Sequence, residues 1–126
     1  LYTVRPEDVL DLATAMMEWQ GIRHVPVEDE QGRVLGMLSP RSWPRLLSRG
    51  VLEGRSVSVR EVMDEEPPLL SPETPIREGL ERLLESGHHC VLVVEEERVI
   101  GIVTERDFLR VLAKIMPDPP RDSAST

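Results

Sequence analysis

The sequence predicts an α+β protein made of two copies of one unit, each running strand, helix, strand, strand, helix, packed sheet to sheet about a pseudo-twofold axis. The first observation is an internal repeat: Gly21 and Gly87 lie 87 − 21 = 66 residues apart, and Gly36 and Gly101 lie 101 − 36 = 65 apart. The second is that each unit alternates short β-branched runs with helical periodicity. The third is size, because half of 126 residues buries too little surface to be stable alone.

The composition is that of a globular protein with an aliphatic core. Hydrophobic residues make up 40% of the chain but aromatic residues only 3%, so aliphatic side chains and Met must fill the interior. A net charge of −8 argues against a nucleic-acid or anionic-membrane surface, which needs a local excess of Lys and Arg. Cys90 is the single cysteine, which excludes an internal disulfide and predicts a reducing compartment, the cytoplasm. No apolar run is long enough to insert into a membrane.

The first unit is predicted to span residues 1–50. A helix is expected over residues 8–20 with Gly21 as its stop, because apolar residues there recur at helical spacing. The residues at that spacing are Val9, Leu12, Ala13, Met16 and Met17, with Leu10 beside them. Strands are expected over residues 25–27 and 33–38. Ser39 can cap a second helix whose first residue would be Pro40.

The second unit is predicted to span residues 64–116, after a linker and approach segment at residues 51–63. Its first helix carries Ile76, Gly79, Leu80, Leu83 and Leu84 and stops at Gly87. The continuously apolar residues 90–94 predict a strand covered on both faces, and residues 98–103 a strand beside it. The last helix should end near Met116 because Pro117 cannot continue it. Residues 117–126 are expected to form a disordered tail.

The last strand hands over to the last helix at Thr104, which is predicted to cap that helix with Asp107 one turn inside it. Free N–H groups and the positive end of the helix dipole meet at such a turn and can bind an anion, while a carboxylate can accept bonds from sugar hydroxyls. The alternative is that Thr104 and Asp107 form a capping box that stabilises only their own helix. The two residues alone leave both interpretations open.

The repeated motifs resemble the tandem CBS-domain pair, or Bateman module, over residues 1–116. The resemblance is carried by the approach segment at residues 59–63, the Pro-Glu starts at 6–7 and 72–73, and a Gly-apolar-x-Thr-x-x-Asp signature at 101–107. It implies a regulatory module, not an enzyme, that binds an adenosine compound such as AMP, ADP, ATP or S-adenosylmethionine. The nucleotide would be a regulatory ligand, and no cofactor is implied.

The resemblance also implies roles for residues of the second unit. Asp107 would hold the ribose hydroxyls, Thr104 would bond sugar or phosphate, and Arg106 would approach the phosphates. His89, at the base of the second strand, would add a phosphate contact. The remaining ligand-binding residues come from the first strand, whose backbone would meet the adenine edge, and from the signature: Leu69, Leu70, Ser71 and Ile102.

The first unit departs from this pattern. Ser42 stands where the second unit has its carboxylate, and Pro40 removes an N–H group that a phosphate would use. A degenerate second site therefore remains, made of Ser39, Ser42 and Arg23, the counterpart of His89. We expect one competent site and one weak or empty site.

A zinc site is the competing interpretation of the run His88, His89 and Cys90. Adjacent strand residues point to opposite faces, so the three cannot converge on one ion, and no metal site is assigned. His24 is the counterpart of Cys90 and leaves a partial His/Cys site open. No P-loop, nucleophile-elbow or HExxH motif occurs.

The main rival to nucleotide sensing is a structural CBS pair that serves dimerisation or interaction and binds no nucleotide. The damaged first site favours this rival, and the intact Thr104 and Asp107 pair argues against it. In either case we expect a homodimer and a flanking domain in a longer protein. No nucleic-acid partner is expected.

Overall fold

Two antiparallel hairpins, each joined to helices, organise the computed structural model, which describes residues 1–39 and 56–118. The elements in chain order are α1 (Leu10–Gln20), β1 (Val25–Glu28), β2 (Val34–Leu38), α2 (Val59–Val62), β3 (Leu69–Leu70), α3 (Ile76–Ser86), β4 (Cys90–Glu95), β5 (Arg98–Thr104) and α4 (Glu105–Ile115). The α+β prediction is confirmed. The helix expected after Ser39 and most of the expected tail lie outside the described residues.

The two halves repeat one strand register. In the first half, β1 and β2 pair antiparallel and Val4 forms a parallel bridge to Val27. In the second half, β4 and β5 pair antiparallel, and β3 pairs parallel with β4 through Leu70 and Val93. Leu70 and Val93 are the counterparts of Val4 and Val27 at the offset of 66, so the repeat read from the sequence is also a repeat of hydrogen-bond pattern.

Both first helices end where the sequence predicts. Gly21 and Gly87 adopt left-handed conformations with φ of 69° and 71°, which a residue without a Cβ reaches at no steric cost. The start of α1 differs from the prediction, since the helix begins at Leu10 rather than at residue 8.

The buried face of α1 also differs from the predicted one. Leu10, Ala13 and Met17 are buried, whereas Val9 and Leu12 are 45% and 66% exposed. The predicted stripe is therefore confirmed at Leu10, Ala13 and Met17 and wrong at Val9 and Leu12. Val9 is the N-cap of α1 and has extended backbone, so it does not belong to the helical face that the other residues share.

The core of the first half takes in the approach segment of the second. Val57, Val59, Val62 and Met63 are buried in one cluster with residues of α1, β1 and β2. A capping box between Ser58 and Glu61 starts α2. The proposed unit boundaries stay a prediction, but residues 57–63 pack against the half that precedes them in the chain.

The two halves meet along the hairpins. Met37 of β2 packs with Cys90 and Leu92 of β4, and the Cys90 Sγ lies 3.4 Å from the Met37 Sδ. At the hairpin ends, the Val34 N–H donates to the Glu97 carbonyl at 3.0 Å. Within residues 1–39 and 56–118, no helix is both long and apolar enough to cross a membrane.

Candidate functional site

A cleft of about 350 Å³ opens between α3 and α4 in the second half. Its apolar lining comes from strands β3, β4 and β5 and from both helices, through Leu70, Gly79, Val93, Val103 and Phe108. Its polar groups are those of Ser71, Thr74 and Asp107. An apolar floor with a few polar groups at its edge is the usual form of a small-molecule site.

Gly79 keeps the floor of the cleft open. A Cβ at this position would lie 2.9 Å from Leu70 Cδ1 and 3.4 Å from Phe108 Cζ, closer than side chains normally approach. A side chain at this position would therefore require Leu70 to move. The counterpart in the first half is Ala13, which is buried.

Thr104 and Asp107 form a reciprocal capping box at the start of α4. The Thr104 Oγ1 accepts a hydrogen bond from the Asp107 N–H at 3.2 Å. The Asp107 Oδ2 accepts from the Thr104 N–H at 2.9 Å and from its hydroxyl at 3.0 Å. The capping role that the sequence offered as an alternative is thus present in the structure, whether or not the pair also meets a ligand.

Asp107 retains capacity for a ligand beyond this cap. Both of its hydrogen bonds from Thr104 use Oδ2, and among the described residues Oδ1 accepts none. The hydrogen bond from the Thr104 backbone is the main cause that lowers the pKa of Asp107 below its ordinary value, with Arg110 contributing at longer range. The carboxylate is therefore charged at neutral pH and offers one open oxygen at the edge of the cleft.

His89 and Arg106 lie beside the N-terminus of α4 rather than in the cleft lining. The His89 Nδ1 is 2.9 Å from the Glu105 Oε1, and both side chains are more than half exposed. The Glu105 N–H donates to the His89 carbonyl at 3.0 Å, so this end of the helix is already partly satisfied. Arg106 is exposed.

The predicted adenine-contacting residues divide between two locations. Leu70 and Ser71 line the cleft, whereas Leu69 lines a second hollow of about 490 Å³ between the hairpin ends. The Leu69 carbonyl accepts from the Arg82 Nη1 at 2.8 Å, and the Ser71 N–H donates to the Thr74 Oγ1 at 3.0 Å. The Ser71 N–H would have to exchange partners to bind a base, whereas the Leu69 carbonyl can accept a second hydrogen bond.

Ile102 and the residues of the degenerate site lie elsewhere. Ile102 packs against the cluster of Met37, Cys90 and Leu92 between the halves. Ser39 is buried and Arg23 is exposed, while Ser42 lies outside the described residues. Of the two predicted sites, the one in the second half is therefore the one whose residues are all described.

The three histidines of the chain gather where the halves meet. Burial lowers the pKa of His24 below its ordinary value, and the nearby charges of His89, Arg23 and His88 lower it further. The His88 Nε2 lies 2.9 Å from the Asp64 Oδ2. Arg23 and His89, predicted as counterparts from the sequence, are thus both near His24.

The surroundings of Cys90 do not favour metal binding. Burial raises the pKa of its thiol to about 12, which disfavours the thiolate that a metal requires. Across residues 1–39 and 56–118, no group of three His, Cys, Asp or Glu side chains is arranged to hold an ion.

Of the eight residues predicted to bind the ligand, the cleft lining includes Leu70, Ser71 and Asp107. The sequence reasoning missed the apolar walls, chiefly Gly79 and Phe108. Helical spacing held part of the missing signal, since Phe108 and Val111 lie three residues apart on α4 and both line the cleft. The helical pattern places Gly79 on the apolar face of its helix but does not predict that a cleft opens beside it.

Comparison with known proteins gives a family match over most of the chain. The family model described as CBS domain matches residues 1–43 and 59–114. An uncharacterised 33.4 kDa protein in the ribosomal RNA operon of Thermofilum pendens is 34% identical over 121 positions, covering 85% of this chain and 40% of that protein. Inosine-5′-monophosphate dehydrogenase of Methanocaldococcus jannaschii is 28% identical over 109 positions, covering 86% of this chain and 21% of the enzyme. The chain thus spans less than half the length of these relatives.

Two solved structures share the fold. CBSX2 in complex with AMP has a TM-score of 0.79 at 22% identity, covering 91% of this chain and 89% of that chain. A CBS-domain containing protein from Agrobacterium tumefaciens has a TM-score of 0.76 at 22% identity, covering 87% of this chain and 82% of that chain.

Proposed function

The chain belongs to the CBS-domain family, and from this premise we propose that it is a regulatory module that binds an adenosine-containing nucleotide in the cleft of its second half. The observation that carries the proposal is the open Oδ1 of Asp107 at the edge of an apolar cleft of about 350 Å³. A charged acceptor beside an apolar floor suits a ribose joined to a flat base.

The adenosine part of the ligand has the clearest support. Leu70, Val103 and Phe108 offer apolar contact to a base, and Asp107 offers a charge-assisted hydrogen bond to a ribose hydroxyl. The CBSX2 structure with AMP shows that a protein of this fold takes an adenine nucleotide. We do not assign one compound among AMP, ADP, ATP and S-adenosylmethionine.

The phosphate part would be met by Arg23 and His89, near the junction of the two halves. Arg23 and His89 each act on His24 electrostatically, so both lie near that histidine. Glu105, paired with His89 at 2.9 Å, opposes an anion at this point and would have to turn away. We therefore expect most of the affinity to come from the adenosine.

The regulated activity would belong to another part of a longer protein or to a partner. Inosine-5′-monophosphate dehydrogenase is a relative in which the similar region makes up 21% of the enzyme, and a regulatory role for that region here is our proposal. We also propose that the protein forms a homodimer, because Leu84, Leu109 and Ile115 are more than 60% exposed on α3 and α4. We propose the cytoplasm as its compartment, because Cys90 is the single cysteine.

The test is titration calorimetry with each of the four adenosine compounds on the wild type and on Asp107→Ala. Loss of the charged acceptor should weaken binding of the compound that binds by about 2 kcal/mol, on the order of thirtyfold. Glu61→Ala is the matched control, because Glu61 closes the same kind of capping box on α2, away from the cleft. This control should lose stability and keep its affinity.

A structural CBS pair that binds no nucleotide is the second candidate. The capping box of Thr104 and Asp107 is complete without a ligand, which favours a structural role for both residues. If none of the four compounds gives heat or raises the melting temperature, or if Asp107→Ala and Glu61→Ala change the affinity equally, this candidate replaces the first.

A further inference from the structure

The first helices of the two halves turn the same face toward the core. The buried residues are Leu10, Ala13 and Met17 in α1 and Gly79 and Leu83 in α3. Gly79 and Leu83 are the counterparts of Ala13 and Met17 at the offset of 66. Because positions on a helix are fixed relative to one another, the residues that face away from the core are also equivalent in α1 and α3.

The face of α1 that points away from the core is apolar. Four apolar residues follow it at the spacing i, i+3, i+4 and i+7, which places them on one side of the helix: Leu12, Ala15, Met16 and Trp19. We call these four residues the outer stripe. Leu12 is 66% exposed and Trp19 is 84% exposed. Large apolar side chains exposed together on one face are typical of an interaction site.

The equivalent face of α3 is charged. The counterparts of the outer stripe at the offset of 66 are all exposed: Glu78, Glu81, Arg82 and Glu85. The Arg82 Nη2 donates to the Glu78 Oε1 at 2.8 Å, and the Arg77 Nε lies 3.6 Å from the Glu81 Oε1. The same fold therefore accepts a solvated, charged face at this place. Folding alone does not explain the outer stripe, whereas a contact with another molecule does.

The charges beside the outer stripe are all acidic. Asp11 and Glu18 are the only charged residues of α1. They lie 18 − 11 = 7 residues apart, which is close to two helical turns, so both follow one edge of the stripe beside Ala15. Both are exposed and, among the residues that the structure describes, neither forms an ion pair. A partner that carries Lys or Arg along the matching edge would gain charge complementarity here.

A second copy of this chain is a poorer match for the outer stripe than a basic partner. It would bring the same acidic edge and a further net charge of −8 toward this surface. The homodimer proposed above rests on α3 and α4, not on α1. An anionic membrane is a poorer match as well, because it attracts helices whose polar face is rich in Lys and Arg.

We propose that the outer stripe of α1 docks an amphipathic helix of a partner protein, with one apolar face and a row of Lys or Arg along its edge. Trp19 is the anchor of this contact, because it offers the largest apolar surface of the four residues. Asp11 and Glu18 select the charge of the partner. The inference does not depend on nucleotide binding, since the cleft lies in the other half.

The test is titration calorimetry on the full chain with a synthetic helical peptide of about 18 residues, or five turns. The peptide carries Leu at the spacing of the outer stripe and Lys along the edges of that apolar face, and a second peptide has Glu in place of Lys. The Lys peptide should bind about tenfold more tightly than the Glu peptide, because like charges across a contact oppose association. Asp11→Lys combined with Glu18→Lys should reverse this preference.

A triple variant, Leu12→Glu with Met16→Arg and Trp19→Glu, tests the apolar contact. It copies the face of α3 onto α1, so the circular dichroism spectrum should not change, while the affinity for the Lys peptide should fall at least about tenfold. Leu84→Glu is the matched control, because Leu84 is also an exposed apolar residue, at 73%, but lies on α3. This control should keep the affinity of the wild type.

The proposal is overturned if neither peptide binds, if both bind equally, or if the triple variant keeps its affinity. The charge reversal at Asp11 and Glu18 tests the proposal independently of the triple variant. A wild-type dimer in sedimentation that the triple variant loses would also overturn it, because a second copy would then occupy the outer stripe. Binding of the wild type, but not of the triple variant, to vesicles of phosphatidylserine would replace the partner helix by a membrane.

Discussion

The first half of the molecule buries a helical segment in a groove that the second half leaves open. Among the described residues, the first cluster contains 11 buried hydrophobic residues and the cluster between α3, α4 and the second sheet contains 4. Buried apolar area is the main favourable term in folding, so the second half has the smaller share of it. The same repeat therefore provides one filled core and one apolar cleft with space for a ligand.

The contrast explains why a glycine at equivalent positions has different importance. Gly36 is required because the chain at Met63 and Asp64 passes directly over β2. Gly101 occupies the same place in β5 with open space above it. The residue type is the same, but only one of the two positions is constrained by packing in this structure.

The largest expected effect comes from adding a side chain at Gly36, where Met63 and Asp64 already occupy the space. Gly36→Ala should destabilise the protein by about 3 kcal/mol, since the added methyl group must displace backbone rather than a flexible side chain. Urea unfolding monitored by circular dichroism would measure it. Gly101→Ala is the matched control, with a change within about 0.5 kcal/mol. Equal losses at both positions would contradict the contrast between the halves.

A smaller effect is expected from the charge of Asp107. Asp107→Ala should cost about 1 kcal/mol at pH 7, as loss of a helix cap usually does. Because folding lowers the pKa of Asp107, this stabilisation is present above its ordinary value of 3.8 and is lost as the pH falls through the folded-state value.

Unfolding free energies of wild type and Asp107→Ala between pH 7 and pH 2 would test the capping role. The difference between the two proteins should be constant down to about pH 5 and shrink below that. A difference that grows on acidification would show that the carboxylate is not stabilised by the Thr104 hydrogen bonds in the folded protein.

The smallest expected effect compares the two hairpin turns. Gly32 takes a φ of 81° in the first turn, while the second turn forces Glu96 and Glu97 to φ of 52° and 68°. Glu97→Gly should therefore stabilise the protein by about 0.5 kcal/mol, because glycine adopts this conformation without a steric penalty.

The control for the turn is Gln31→Gly in the first hairpin. Gln31 has no positive φ, so glycine there adds only flexibility to the unfolded chain and should destabilise slightly. Thermal melts of both variants would distinguish the two turns. Stabilisation by Gln31→Gly as well would mean that the turns do not differ in strain.

Much of the fold could be predicted because the chain repeats one unit, and because each unit shows the spacing of helices and strands. Helical spacing located α1 and α3, β-branched runs located the hairpins, and Gly21 and Gly87 marked the helix ends. Within the predicted stripe of α1, Val9 and Leu12 are exposed, because tertiary contacts decide which apolar residues of a helix are covered. Propensity and periodicity are local quantities, and they do not record where a helix begins relative to its neighbours.

Only part of the candidate site could be predicted in the same way. Asp107 and Thr104 were identified from their strand-to-helix signature, and the structure pairs them in a capping box. The cleft itself was not visible, because it depends on the missing Cβ of Gly79 between Leu70 and Phe108. Contacts between residues that are far apart in the chain leave no periodic trace.

The sequence by itself determined the repeat, its elements and the carboxylate that distinguishes the second unit from the first. Tertiary structure alone decided that residues 57–63, the approach segment between the units, fill the groove of the first half, while the equivalent groove of the second half stays open. The physical reason is that the local pattern specifies an apolar face, while the partner that covers the face depends on how the chain crosses between the halves.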